Sequence, residues 1–174
     1  MQARLSLKAR ALQLLAQRDQ SRVELRRKLL AHARRAAGEP GADDGDGADR
    51  GETVEVLLDW LETHRYLSAQ RFAESRVHAR EARFGNLRIR SELAQHGIPL
   101  SPEAARELAD SELLRAAGVR ERRFSRAPGD ASERAAQSRF LAARGFSPEV
   151  IHRLMRQVGL ALPEARQGQA REDA

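Results

Sequence analysis

The sequence predicts an all-α protein built as an elongated array of three tandem three-helix repeats. Ala, Leu, Arg and Glu dominate the composition, whereas residues that favour strands are scarce and aromatic side chains make up only 4% of the chain. One phrase also occurs nearly twice, as Gly97-Ile98-Pro99-Leu100-Ser101-Pro102-Glu103 and as Gly145-Phe146-Ser147-Pro148-Glu149. Because each copy lies between two segments with helical periodicity, it indicates a repeated helical module.

The first repeat is predicted over residues 7–67. Apolar residues recur at helical spacing over 7–17, and Ser21-Arg22-Val23-Glu24 has the pattern of a capping box that opens a second helix ending near Arg35. A third helix is predicted over 53–64. The apolar residues expected to form the buried faces of the second and third helices are Val23, Leu25, Leu29, Leu30, Val54, Leu57, Leu58 and Leu61.

An acidic insertion interrupts this first repeat. Residues 37–52 are mainly Gly, Asp, Ala, Pro and Glu without an apolar period, so they cannot bury enough surface to offset their ordering entropy. We therefore expect residues 37–52 to be disordered. Two roles stay open, namely a tolerated insertion and an acidic segment that folds back on the arginines and screens them.

The second repeat is predicted over 68–114, with a first helix ending near Ala82, a second over 87–96 and a third continuing toward Leu114. Serine can accept a backbone N–H of a first helical turn, and glycine can take the left-handed conformation that closes a helix. The capping and breaking residues are Ser68, Gly85, Asn86, Gly97, Ser101 and Pro102. The apolar face of the middle helix is Leu87, Ile89 and Leu93.

The third repeat is predicted over 115–158, and 159–174 is expected to be a frayed tail. A basic run opens the repeat, and the capping box Asp130-Ala131-Ser132-Glu133 then begins a helix that ends at Gly145. Ser147 is expected to cap the last helix. The apolar residues of this repeat are Ala136, Phe140, Leu141, Val150, Ile151, Leu154 and Met155.

The charge of the chain is uneven. The formal net charge is +6, but residues 39–52 hold six acids and one arginine, which leaves an excess of +11 on the remainder. Such an excess favours a polyanionic partner or an acidic protein surface, and the alternative is a solvated, arginine-rich surface. The absence of cysteine and of an apolar run near 20 residues, together with the polar start at Met1, predicts a cytoplasmic protein that does not enter the membrane.

No catalytic constellation is present in the sequence. There is no Gly-rich phosphate loop and no nucleophile elbow, and the histidines at 32, 64, 78, 96 and 152 never form a His-Glu-x-x-His pair. We expect no enzymatic activity, no metal and no cofactor. At helical spacing, Trp60, Tyr66 and Phe72 are expected to pack in the core rather than to stack on nucleobases.

Several motifs together resemble the RecX family of recombination regulators. The central one is Leu61-Glu62-Thr63-His64-Arg65-Tyr66-Leu67-Ser68-Ala69-Gln70-Arg71-Phe72-Ala73-Glu74-Ser75, followed by Arg83-Phe84-Gly85 and Leu93-x-x-x-Gly97-Ile98. Flanking motifs are Ala11-Leu12-x-Leu14-Leu15, Ser21-x-x-Glu24-Leu25-x-x-Lys28-Leu29 and Phe140-Leu141-x-x-Arg144-Gly145-Phe146-Ser147. The chain departs from the family pattern at Arg65, where a glycine is frequent, at 68–70, where an acid is usual, and in the acidic insertion.

The resemblance implies a non-enzymatic regulator that binds the RecA recombinase or its filament on DNA and inhibits it, modulating recombinational DNA repair and the SOS response. From charge, we expect the contacts with the RecA filament, or with single- or double-stranded DNA, to come from basic residues of all three repeats in a monomer. These candidates are Arg22, Arg26, Arg27, Lys28, Arg83, Arg88, Arg90, Arg120, Arg122 and Arg123.

Two other classes of protein stay open at this point. One is a direct nucleic-acid binder such as a helix-turn-helix repressor, which needs a compact helix pair and a dimer interface. The helix pairs here recur three times without an evident dimerising stripe, so the sequence favours the filament regulator. The other is a structural adaptor without nucleic acid.

Overall fold

A computed structural model of the protein describes residues 5–37 and 45–160. Within these residues the chain forms eight α-helices and no strand, which confirms the all-α prediction. The helices are α1 Leu7–Gln17, α2 Arg22–Ala37, α3 Gly45–Thr63, α4 Ala69–Glu81, α5 Asn86–Ala94, α6 Pro102–Glu121, α7 Ala131–Ala143 and α8 Pro148–Leu160. The described residues divide into two compact units, a first unit up to Ser75 with Gln95–Ile98, and a second unit of Arg76–Ala94 with the residues from Pro99 onward.

The first unit has a hydrophobic core between α1, α2 and α3. Ser21 caps α2, since its hydroxyl oxygen accepts the Glu24 backbone N–H at 3.1 Å, as the capping pattern predicts. Val23 is 53% exposed, so its predicted burial is wrong. It lies two residues from Leu25, and residues at that separation do not share a helix face. The buried core residues are Ala11, Leu14, Leu25, Leu29, Val54, Leu58, Leu61 and Leu67.

Helix α3 begins earlier than the sequence predicts. Ala37 is the last residue of α2 and residues 45–52 belong to α3, so the expected disorder is wrong for both ends of the insertion. The Thr53 hydroxyl donates to the Asp49 carbonyl at 2.9 Å, which places Thr53 inside the helix. The apolar stripe from Val54 onward holds α3 on the core, and acids are favourable near a helix N-terminus. Residues 38–44 lie outside the described residues.

The second unit has its own core, formed mainly by α6, α7 and α8. Two predicted turn glycines close their helices in the left-handed region, Gly97 of the first unit with φ of +68° and Gly145 of the second unit with φ of +79°. The predicted packing of Leu87 is wrong, because Leu87 is 52% exposed; it lies two residues from buried Ile89 and thus on another face. Ala136, one of the apolar residues of α7, is exposed as well. The core residues are Ala116, Val119, Leu141, Phe146, Ile151, Leu154 and Met155.

Helix α6 runs without interruption from Pro102 to Glu121. Its start is as predicted, with the Ser101 hydroxyl accepting the Ala104 N–H at 3.2 Å. The predicted boundary at 114–115 falls inside this helix, and the limits of the repeats stay predictions. Helix α8 extends to Leu160, so the first two residues of the expected tail are helical, and 161–174 lie outside the described residues.

The buried carboxylate of Glu112 joins the starts of α5 and α8. It lies on α6 and is 4% exposed. One oxygen accepts the backbone N–H groups of Asn86 at 3.0 Å and Ser147 at 3.1 Å. The other accepts the Ser147 hydroxyl at 3.1 Å, so this hydroxyl donates to Glu112 where the sequence predicted a capping acceptor. Free N–H groups at two helix starts are therefore satisfied by one buried side chain.

The turn between α4 and α5 lies directly against the turn between α7 and α8. The Gly85 N–H donates to the Arg144 carbonyl at 2.9 Å, and the Leu87 N–H donates to the Gly145 carbonyl at 3.0 Å. A Cβ atom on Gly85 would lie 2.2 Å from the Phe146 nitrogen, so only glycine permits this approach. The contact fixes the surface on which several of the predicted basic residues stand.

Candidate interaction surface

The predicted contact residues on α2 are Arg22, Arg26, Arg27 and Lys28, here named the basic ridge, and two of them are paired with acids of α3. Arg22 binds Glu55 at 2.6 Å. It also pairs with Asp59 and Glu62, at 2.7 Å each. Arg26 forms a second ion pair with Glu55. Two of the predicted contact residues are therefore already compensated by neighbouring carboxylates.

These ion pairs shift the pKa of groups on both helices. Burial acts to lower the pKa of Arg22, but the hydrogen bonds to Glu55 and Asp59 outweigh it and raise that pKa above its ordinary value. Hydrogen bonds from Arg26 and Arg22 lower the pKa of Glu55. The arginines of the ridge thus stay charged, while the neighbouring carboxylates partly cancel their positive electrostatic field.

Lys28 also forms an ion pair, whereas Arg27 forms none with the described residues. The Lys28 ammonium lies 3.0 Å from Glu24 and donates to Gln20 at 2.8 Å. Burial opposes ionisation of Glu24, but hydrogen bonds from Arg18 and Lys28 prevail and lower its pKa to about 2. Arg27 is exposed and has no ion pair with any residue that the structure describes. It is the one predicted residue of α2 with an uncompensated charge in this part of the chain.

In the second unit, two predicted residues lie beside the Phe84 ring and a third binds the backbone just before it. The guanidinium carbons of Arg88 and Arg83 lie 4.8 and 6.0 Å from the ring centroid, within the range of cation–π attraction. Arg122 donates to the Ala82 carbonyl at 2.6 Å, two residues before that ring. The structure thus brings together side chains that are far apart in the sequence.

Arg80 belongs to the same surface and was missed by the sequence reasoning. Its guanidinium carbon lies 5.7 Å from the Phe84 centroid. The sequence spacing could have identified Arg80, since Arg80 and Arg88 lie four residues to either side of Phe84. Glu92 pairs with both arginines, at 2.9 and 3.5 Å. We name Arg80, Arg83, Arg88 and Arg122 the Phe84 cluster.

Arg115 holds the turn that carries this cluster. It is partly buried and donates to the Phe84 carbonyl at 2.9 Å and to the Asn86 side-chain oxygen at 2.6 Å. It also donates to the Glu81 and Leu108 carbonyls, at 3.2 and 2.9 Å. Burial lowers the pKa of Arg115. This arginine orders the surface from beneath and is not itself a surface contact.

The three other predicted residues of the second unit differ in exposure. Arg120 is only 6% exposed and donates to Gln137 at 2.7 Å and to the Arg126 carbonyl at 2.6 Å, so its guanidinium is used inside the fold. Arg123 is exposed and lies 5.4 Å from the Phe124 ring centroid. Arg90 is exposed on α5, with no ion pair among the described residues. We therefore remove Arg120 from the candidate surface.

The three aromatic residues considered at the sequence level have different environments. Phe72 is buried and meets His96 edge-on at 4.9 Å, in agreement with core packing. Trp60 is partly buried, stacks on Tyr66 at 5.6 Å and is covered by the Lys8 ammonium at 3.6 Å. Tyr66 is 48% exposed, so the prediction of core packing is wrong for this residue. Tyr66 instead stacks on Trp60 at the surface, in the segment that follows α3.

Neither a metal-binding cluster nor a membrane-spanning helix is found among the described residues. Within 5–37 and 45–160, no cluster of three or more His, Asp or Glu side chains is arranged to hold a metal ion. The same ranges contain no helix long and apolar enough to cross a membrane.

Comparison with known proteins relates the chain to a class of helical proteins whose members are named as regulators. Residues 70–101 match the family model described as RecX, second three-helix domain. The "Regulatory protein RecX" of Ralstonia pickettii (strain 12J) is 46% identical over 87% of both chains. That of Herbaspirillum seropedicae is also 46% identical, over 84% of this chain and 87% of the relative. These relatives are thus named as regulators.

The chain belongs to the RecX family. The crystal structure of RecX from Lactobacillus salivarius has the same fold, with a TM-score of 0.62 over 88% of this chain and 95% of that chain at 18% identity. The family match and the shared fold confirm the predicted helical repeat fold and the resemblance drawn from the motifs around Tyr66 and Phe72.

Proposed function

We propose that this protein is a non-enzymatic regulator that binds the RecA recombinase, or its filament on DNA, and inhibits its recombinase and ATPase activities. The observation that carries the proposal is the family relationship, which extends over 87% of the chain. The protein would act in the cytoplasm, on recombinational repair and the SOS response. No covalent bond is made or broken, because regulation follows from occupying a surface that the filament needs.

The Phe84 cluster supplies a physical means for this binding. Among the ion pairs of the described residues, Glu92 is the one acid that pairs with members of this cluster of four guanidinium groups, so the cluster carries more positive than negative charge. Guanidinium groups recognise carboxylates and phosphates in bidentate geometry, and both groups are available on a protein filament that holds DNA. Arg90 and Arg123 are exposed and extend the set of proposed contacts.

In the first unit, Arg27 is the residue best placed for a direct contact. It is exposed, whereas Arg22 and Arg26 must exchange their α3 carboxylates for a partner's anions. Lys28 must likewise leave Glu24. Exposed ion pairs such as those of Arg22 and Arg26 contribute little to stability, so their exchange costs little free energy, whereas Lys28 must leave a largely buried carboxylate. We therefore propose Arg27 as the primary contact of this helix and the other three as secondary contacts.

The primary test is the effect of the purified protein on RecA. We expect DNA-dependent ATP hydrolysis and strand exchange by RecA to fall when the protein is added at substoichiometric or equal amounts. Unchanged RecA activity in the presence of excess folded protein would refute the proposal.

A charge-reversal variant tests the Phe84 cluster. Replacing Arg83, Arg88 and Arg122 by Glu should weaken binding to RecA filaments at least about tenfold, because attraction becomes repulsion at one surface. Arg106→Glu with Arg153→Glu is the control, since both arginines are exposed and lie outside the cluster. Filament co-sedimentation and circular dichroism measure binding and fold. Equal binding by the cluster variant would remove this surface from the proposed site.

Salt dependence separates filament binding from direct nucleic-acid binding. A direct DNA binder releases counterions, so its affinity for DNA without RecA falls steeply as salt rises. We expect the affinity for RecA filaments to exceed that for the same oligonucleotide alone. A higher affinity for the bare oligonucleotide would favour the helix-turn-helix class of function instead.

A further inference from the structure

An apolar groove with a cationic rim lies within the second unit, between α7 and α8. It has a volume of about 660 Å³, within the range of clefts that hold ligands. Its apolar lining includes Phe146, Ile151 and Met155 of the core edge, together with Ala142 and Pro148. Leu87, at the start of α5, completes the lining and is 52% exposed. A large apolar side chain is thus exposed beside an apolar depression.

The polar lining of this groove has one sign of charge. Three arginines line it, namely Arg134, Arg139 and Arg156, and no carboxylate does. Arg134 donates to the Met155 carbonyl at 3.0 Å and so serves the fold. Arg139 and Arg156 are exposed and have no ion pair among the described residues. Two uncompensated cations therefore flank an apolar floor.

This combination selects one kind of occupant. Covering the apolar floor with apolar side chains is favourable because it removes apolar surface from water. A nucleic-acid backbone does not supply such side chains. Uncompensated guanidinium groups at the rim bind carboxylates as well as phosphates, and of these two groups it is carboxylates that occur beside apolar side chains in one protein segment. Amphipathic helices bind grooves of this type through residues three and four apart, with the polar face toward the rim.

We propose that the groove between α7 and α8 docks an acidic amphipathic segment of a partner protein. Apolar side chains of that segment contact Leu87 and the floor, while its carboxylates pair with Arg139 and Arg156. Given the function proposed above, on which this step rests, the segment belongs to RecA. The groove is separate from the Phe84 cluster in its chemistry, since it adds apolar contact to charge recognition.

Two variants test the two parts of the groove. Leu87→Glu places a negative charge on the apolar lining, and Leu114→Glu is its matched control, because Leu114 is 79% exposed on α6 outside the groove. Arg139→Glu with Arg156→Glu reverses the rim, and Arg106→Glu with Arg153→Glu is the control for this change. Circular dichroism and thermal unfolding establish that each variant folds.

Binding is measured by co-sedimentation with RecA assembled on oligo(dT), and separately by anisotropy with fluorescein-labelled oligo(dT) alone. We expect each groove variant to lose about tenfold or more in affinity for the filament, and each control to change less than about twofold. Affinity for oligo(dT) alone should be unaffected by Leu87→Glu.

The outcomes separate the two proposals. If the wild-type protein binds filaments and the groove variants bind equally well, the groove proposal is overturned while the proposed function stands. Loss of oligo(dT) binding by Leu87→Glu in step with loss of filament binding would assign the groove to nucleic acid and also overturn it. If the wild-type protein fails to bind RecA, the proposed function falls, and the docking of a RecA segment falls with it.

Discussion

Glu112 accepts both the backbone N–H and the hydroxyl of Ser147, each at 3.1 Å, and thereby fixes the start of α8 from the interior of α6. The same carboxylate holds the start of α5 through Asn86. Because it is buried, its removal would leave several donors without acceptors.

Replacement of Glu112 should therefore destabilise the second unit. Glu112→Ala is expected to lower the free energy of unfolding by about 2–4 kcal/mol, because buried N–H groups and the Ser147 hydroxyl lose their partner. Ser147→Ala, which removes only one of the bonds, should cost about 1 kcal/mol. Urea denaturation followed by circular dichroism measures both. A loss for Glu112→Ala no larger than that for Ser147→Ala would contradict the proposed role of this carboxylate.

Two glycine replacements should act in opposite directions. A Cβ atom at Gly85 would lie 2.2 Å from the Phe146 nitrogen and 2.3 Å from the Gly145 carbonyl oxygen, so Gly85→Ala should destabilise by more than about 2 kcal/mol. Gly51 lies inside α3 with nothing within 4 Å of the added atom. Gly51→Ala should therefore stabilise by about 0.5–1 kcal/mol, since alanine favours helix. Thermal unfolding of both variants gives the signs, and the same sign in both would be inconsistent with the two environments.

The pKa of Glu24 predicts an acid-sensitive contribution to stability. Hydrogen bonds from Arg18 and Lys28 hold this pKa at about 2, below the ordinary value of 4.5. A lowered pKa stabilises the fold above the ordinary value, and this contribution is lost as the pH falls from about 4.5 toward 2. Wild-type stability should decline over that window by an amount that Glu24→Gln lacks, up to roughly 3 kcal/mol.

The control for this measurement is Glu107→Gln, at an exposed position of α6. Its dependence of unfolding free energy on pH should match that of the wild type, as measured by urea titrations between pH 2 and pH 6. An unchanged pH dependence in Glu24→Gln would show that the ion pairs at Glu24 do not stabilise the fold.

The acids of α3 should restrain the basic ridge of α2. Replacing Glu55, Asp59 and Glu62 by their amides releases Arg22 and Arg26 and is expected to raise affinity for oligo(dT) and for RecA filaments severalfold, with a steeper salt dependence. Glu103, Glu107 and Asp110 on α6 supply a control with the same change of charge. Fluorescence anisotropy across a salt series measures the effect. Equal gains in the two variants would indicate a general charge effect rather than release of the ridge.

Local signals in the sequence predicted the helix ends well. Ser21 and Ser101 cap their helices, and Gly97 and Gly145 take positive φ, because each of these interactions lies within a few neighbouring residues. The helical character of 45–52 was missed, since the segment has no apolar period of its own and continues a helix held by Val54 and its successors. The composition of a segment alone does not show that the apolar residues following it hold it in a helix.

Contacts between distant segments were the part that the sequence did not predict. The Glu112 junction, the burial of Arg120 and the pairing of Arg22 with α3 all depend on which helix faces reach each other, and one sequence without an alignment carries no such information. For the candidate surface, charge located the basic segments but did not separate paired from unpaired arginines. Only the three-dimensional arrangement shows Arg83 and Arg88 at the Phe84 ring and Arg122 on the Ala82 carbonyl close to it in the chain.

Trp60 is the only tryptophan and Tyr66 the only tyrosine in the chain, and both lie in the first unit, stacked at 5.6 Å. Their intrinsic ultraviolet emission is therefore an optical reporter of that unit alone, whereas helical ellipticity sums over both. Following the two signals through one melting curve reveals whether the units unfold as a single cooperative block or in separate steps, without any added label.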